Sequence, residues 1–90
     1  MFVPNAFSPN GDGRNDEFRI VTAAGFQLTQ LDVYDRWGNK VWSTLDPRKG
    51  WDGKYKGVDM DVNSYFYIFR YDCFATGEKM IKKGDVQLIR

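Results

Sequence analysis

Apolar positions in this chain come in short alternating runs cut by glycine. No stretch keeps the i, i+3, i+4, i+7 spacing of an amphipathic helix. Residues 28–37 (LTQLDVYDRW) predict a strand, with Leu31, Val33 and Trp37 on one parity and Asp32, Tyr34 and Arg36 on the other. The first set is expected to face a core, with Asp35 at the strand end. Gly38-Asn39 fits a two-residue turn with Gly at the first central position, as type II′ requires. Residues 40–44 (KVWST) then return, so 28–44 reads as a hairpin. Residues 65–74 (YFYIFRYDCF) form the longest run, and their first five are apolar on both faces, which predicts a central strand. After a turn at 75–78, residues 79–82 and 85–90 return, with Val86 and Leu88 alternating against Asp85 and Gln87. Gly84 is expected to mark a bulge or break.

The remaining runs are shorter. Residues 2–7 are extended, with Pro4 suiting a sheet edge. Residues 17–22 (EFRIVT) alternate as a further strand. Residues 45–50 form a loop on Asp46-Pro47, Trp51-Asp52-Gly53 opens a turn, and 57–63 is polar and irregular. A turn every ~8–12 residues points to an all-β fold, an antiparallel, immunoglobulin-like β-sandwich of about six to eight strands. Ninety residues make one domain, 1–90.

Composition narrows the chemistry. The chain holds 7 Phe, 5 Tyr and 3 Trp, and aromatics favour strands. Lys+Arg 13 against Asp+Glu 12 leaves +1, without the basic excess of a nucleic-acid module. The chain has no His, which removes the usual general base and the commonest zinc ligand. The single Cys73 has no disulfide partner within the chain and reads as a small buried hydrophobe. No apolar run reaches the ~20 residues of a membrane-spanning helix. Met1-Phe2-Val3-Pro4 lacks the charged and apolar regions of a secretory leader, and the segment reads as a module cut from a larger protein.

One loop offers ligands for a hard cation. Asn10, Asp12 and Asp16 place side-chain oxygens at the first, third and seventh positions of a short segment, and the Arg14 carbonyl falls at the fifth. Ca²⁺ takes such oxygens, and Gly11 and Gly13 let the loop curl. The EF-hand pattern is not met, since Val21 stands where its Glu belongs. The same residues also suit an Asx- and Gly-stabilised turn without metal. Trp37, Trp42 and Trp51, with Tyr55, Tyr65 and Tyr67, suit core packing first, and a sugar-stacking platform only if several rings lie exposed and coplanar. The remaining aspartates sit where turns favour them, so no enzymatic site is expected.

Five segments in order resemble one family. Residues 2–16 (FVPNAFSPNGDGRND), 33–42 (VYDRWGNKVW), 51–57 (WDGKYKG), 65–67 (YFY) and 83–90 (KGDVQLIR) are similar to the gliding-motility-associated C-terminal domain, the type B sorting domain of the type IX secretion system of Bacteroidota. The motif positions are Pro9, Asn10, Gly11, Asp12, Gly13, Asn15, Asp16, Arg36, Trp37, Gly38, Trp51, Asp52, Gly53 and Gly84. Residues 59–64 (DMDVNS) depart from the family's Pro- and Gly-containing approach to the central strand. The resemblance implies a non-catalytic sorting signal on a secreted or cell-surface protein. Its partners would be the outer-membrane translocon and an associated outer-membrane protein, with no nucleic acid and no small-molecule substrate. Lys82, Lys83 and Arg90 are the expected basic contacts. The competing class is a surface module binding sugar or protein.

A calcium-binding loop has a thermodynamic signature, because only the folded loop presents the site. If 10–16 takes Ca²⁺, millimolar calcium raises the melting temperature relative to chelator. Identical melting in both leaves it a metal-free turn.

Overall fold

The longest strand organises the sheet. The computed structural model describes residues 3–9, 16–22, 24–46 and 48–89. Strands β1 (Ala6–Phe7), β2 (Phe26–Tyr34), β3 (Lys40–Thr44), β4 (Lys54–Tyr55), β5 (Val58–Asp59), β6 (Asn63–Cys73) and β7 (Lys79–Leu88) follow one another, with no helix among the described residues. Five of them form one sheet in the order β1-β7-β6-β2-β3, which places β6 at the centre, while β4 and β5 pair separately. The result is all-β and compatible with a β-sandwich. The large sheet is antiparallel except at its β1 edge, where β1 runs parallel to β7. No tight turn links these two strands, so nothing imposes the antiparallel sense.

Pairing fixes which side chains enter the core. β6 and β7 stay in register from Asn63 opposite Leu88 to Asp72 opposite Lys79. Tyr65, Phe69, Tyr71, Val86 and Leu88 all turn to the same face and are buried. In β2 the core residues Leu28, Leu31 and Val33 change parity. An extra residue, Thr29, sits between the Leu28–Tyr71 and Gln30–Arg70 pairs and restores them to one face. The Thr29 hydroxyl donates to the Arg70 carbonyl at 3.1 Å. In β3 the extra residue is Val41.

A thin layer covers this face. Phe18, Ile20 and Trp51 are its buried side chains. Phe18 and Trp51 exchange backbone hydrogen bonds of 2.8 and 3.0 Å. The strand expected over 17–22 therefore shrinks to a single bridge with Trp51. The crossing is close: a Cβ at Gly50 would lie 3.0 Å from the Phe18 carbonyl oxygen. At Gly53, φ is +80° and a Cβ would meet Leu88 Cδ1 at 2.7 Å and Pro9 Cγ at 3.1 Å. Both backbone and space thus demand glycine there.

Four further expectations need correction. The segment over 57–63 is not wholly irregular, because Lys56 (φ 53°) and Gly57 (φ 80°) make the two positive-φ turn that joins β4 to β5. The 38–39 turn is a longer loop over 35–39, since Tyr34 is the last residue of β2 to pair, with Lys40. Trp37 consequently leaves the core parity and is 71% exposed. Gly84 is neither bulge nor break. It pairs with Tyr67 inside an unbroken ladder, and a Cβ there would collide with the Tyr67 hydroxyl and ring.

That collision has a measurable cost. Tyr67 cannot swing freely, because its ring packs between Phe18, at 5.3 Å between centroids, and Phe69, at 5.8 Å. Gly-to-Ala in a strand is otherwise favourable. Gly84→Ala is therefore expected to destabilise by about 1–3 kcal/mol through overpacking. The cost should shrink in a Tyr67→Leu background, measured by chemical denaturation.

Candidate recognition surface

The second face of the large sheet carries no covering strand among the described residues. Lys40, Tyr34, Phe66 and Asp85 stand side by side across it, and Ser43, Asp32, Ile68 and Lys83 form the next row. Phe66 is 46% exposed and Ile81 56%. A shallow groove of about 590 Å³ runs between Tyr34, Arg36, Phe66, Ile68, Lys83 and Asp85. The two-faced apolar start of β6 was the sequence signal for this surface. It correctly placed the strand at the centre but suggested burial on both sides.

Asp32 anchors the face. Its side chain is almost fully buried although it lies on the polar parity of β2. Arg70 Nη1 lies 3.7 Å and Lys40 Nζ 4.0 Å from its carboxylate. The Ser43 hydroxyl donates to it at 2.5 Å, and Gln30 Nε2 at 3.1 and 3.2 Å. A buried carboxylate needs such partners, and here they tie β2, β3 and β6 together.

The 35–39 loop stands at one end of the groove. Asp35 Oδ1 accepts the backbone N–H groups of Trp37 (3.0 Å) and Asn39 (2.8 Å), and Oδ2 accepts Asn39 Nδ2 at 3.2 Å. The Asp35 N–H donates to the Asn39 carbonyl at 2.9 Å. These bonds fix a tip from which Arg36 and Trp37 project. The Arg36 guanidinium lies 4.3 Å from the centre of the Trp37 ring, within cation–π reach.

The other sequence candidates divide by position. Asn10, Gly11, Asp12, Gly13, Arg14, Asn15 and Arg90 lie outside the described residues. Asp16 and Pro9 are half-buried, and Pro9 packs toward Gly53. Asp52 Oδ1 accepts the Lys54 N–H at 3.0 Å, a turn role. Lys82 and Lys83 are exposed and point to opposite faces of the sheet, opposite Phe69 and Ile68 respectively. Cys73 is half-buried, and hydrogen bonds from Thr76 hold its thiol below the ordinary range. Trp51 and Tyr65 pack edge to face in the core, 5.0 Å apart, so they supply no exposed stacking platform.

Burial raises the Asp35 carboxyl, but its hydrogen bonds from Asn39 and Trp37 and the Arg36 charge prevail and hold it below its ordinary value. A depressed folded value stabilises above the unfolded carboxyl range and is lost as pH falls through the folded value. Asp35→Ala should therefore be less stable than wild type at neutral pH. It should also lose less stability between neutrality and about pH 2, as read from melting curves.

Comparison with known proteins supplies the biological context. The model of the CHU_C type IX secretion signal domain family matches residues 1–88. No curated relative matches the chain.

Proposed function

The chain belongs to the type IX secretion signal domain family, and from that membership we infer that its folded surface, rather than a linear tail, is what the secretion machinery reads. A type IX secretion signal interacts with that machinery and accompanies export across the outer membrane to the cell surface or beyond. No helix among the described residues is long and apolar enough to cross a membrane. Within this reading the domain is non-catalytic. Its receptors are the outer-membrane translocon and an associated outer-membrane protein.

The position of the last strand carries the folded-surface reading. β7 pairs with β6 along its whole length, its end pairs with β1, and Val86 and Leu88 are fully buried. A receptor for an extended tail would have to strip this strand from the sheet. Burial of two such side chains is worth about 1.5–3 kcal/mol each, a large part of the ~5–15 kcal/mol that holds a domain together. Lys82, Lys83 and Arg90 supply basic contacts at the margin of the surface. Calcium at Asn10, Asp12, Asp16 and the Arg14 carbonyl belongs to the same proposal and has its own melting test.

The test is a fusion. Placed behind a signal peptide on an unrelated reporter, the domain should direct export in a type IX-competent cell. Failure there, with sugar or protein binding found instead, establishes the surface-module class. Deleting residues 87–90 should abolish export by unfolding the domain. Replacing Lys82, Lys83 and Arg90 with Ala should change stability by no more than about 0.5 kcal/mol per site, yet weaken export. Normal export of the folded triple variant removes the basic margin from the signal.

A further inference from the structure

β7 is an edge strand over most of its length. Its outer neighbour β1 reaches only Gln87 and Leu88. Among the described residues no strand lies beside 79–85. The direction of the free backbone groups follows from three hydrogen bonds. The Gln87 and Ile89 N–H groups donate outward to the Asn5 and Phe7 carbonyls, both at 2.9 Å, whereas the Glu78 carbonyl accepts inward from the Cys73 N–H at 3.0 Å. Strand alternation then turns the N–H and C=O of Ile81, Lys83 and Asp85 outward, with no strand among the described residues to receive them.

We propose that this edge receives an extended, acidic segment of the secretion machinery as an added strand, continuing the place that β1 occupies farther along. The proposal rests on the sorting reading and names the chemistry of its partner. Three observations favour it. β7 has no register shift from Lys79 to Leu88, whereas the opposite edge strand, β3, is bulged, and bulges discourage strand addition. Lys79, Lys82 and Lys83 stand within one short stretch without an acid between them, and none of the ion pairs among the described residues engages them. Lys82 and Lys83 lie on opposite faces. They form no flat patch, but they flank an added strand from both sides, where the alternating side chains of an acidic segment would meet one on each face. Lysines on an edge also deter neutral and basic strands, so the same charges select against pairing between copies of this chain and for an acidic partner.

Proline distinguishes the two sides of β7. Ile81→Pro removes an outward N–H and leaves the inward ladder to β6 intact, a position where edge strands tolerate proline. Ile81→Ala keeps that N–H and serves as the control. The combined Lys79→Glu, Lys82→Glu and Lys83→Glu variant reverses the charge without proline. Each is fused to the exported reporter, with folding checked by melting of the purified domain. Ile81→Pro and the charge reversal should each lower export by about tenfold or more while remaining folded, the loss of a binding contribution of hot-spot size. Ile81→Ala should export normally. If Ile81→Pro does not fold, the charge-reversed variant decides. Normal export of the folded variants overturns strand addition and leaves the lysines as guards against aggregation. A wild-type fusion that is not exported overturns the sorting reading, and this proposal with it.

Discussion

The uninterrupted pairing of β6 with β7 is the constraint on which the other features depend. Ladder hydrogen bonds are modest individually, about 0.5–1.5 kcal/mol net each, but here they fix a register. A shift of one residue would turn Val86 and Leu88 to solvent and bring Lys83 and Asp85 into the core. The register is accommodated without strain because residue 84 has no side chain where the Tyr67 ring lies. Tyr67 in turn packs on Phe18, part of the thin covering layer. A single absent methyl group thus links the two strands to the segment that closes the core.

The cover has little backbone pairing of its own and depends on large side chains. Phe18 and Trp51 share one bridge, and Phe7 stacks at an angle on both. Trp51 also donates its indole N–H to the Lys54 carbonyl at 3.0 Å, which ties the β4–β5 hairpin to the same cluster. Gly53 lets Leu88 and Pro9 close over it. In a chain this short, aromatic volume substitutes for a second full sheet.

Much of this was legible in sequence because strands with one buried face alternate. The runs around Leu31 and Val33, and around Val86 and Leu88, declared their core faces, and β6 declared its central place. Local patterns failed where geometry depends on distant partners. Nothing near Gly84 reveals that Tyr67 lies over it. The Thr29 and Val41 bulges change parity without a local marker. Trp37 shares the parity of Leu31, but the Asp35 carboxylate captures the backbone first and turns the chain out of the sheet. Asp35 and Asn39 flanking Trp37 were the available sign, since Asx side chains compete with strand pairing for backbone donors. On the candidate surface, the family motif drew attention to Arg36, Trp37 and Gly38. The alternation of Lys82 and Lys83 between faces required only the strand period. The burial of Asp32 required knowing that Arg70 and Lys40 would meet above it.

A secretion signal carried by a protein must present its features whatever else that protein contains. In this fold the outward features share one frame. The groove floor is built from β2, β6 and β7, the Arg36–Trp37 tip closes the β2–β3 hairpin, and the free edge belongs to β7. β6 lies between β7 and β2, so the spacing between edge and tip is set by two ladders rather than by loop conformation. Asp32 reinforces the second ladder where its charge is satisfied from three strands. Among the described residues no buried side-chain polar atom lacks a hydrogen-bond partner. The chemistry left available lies outside, on an apolar sheet face and on an edge whose backbone groups are held in position by the core beneath them.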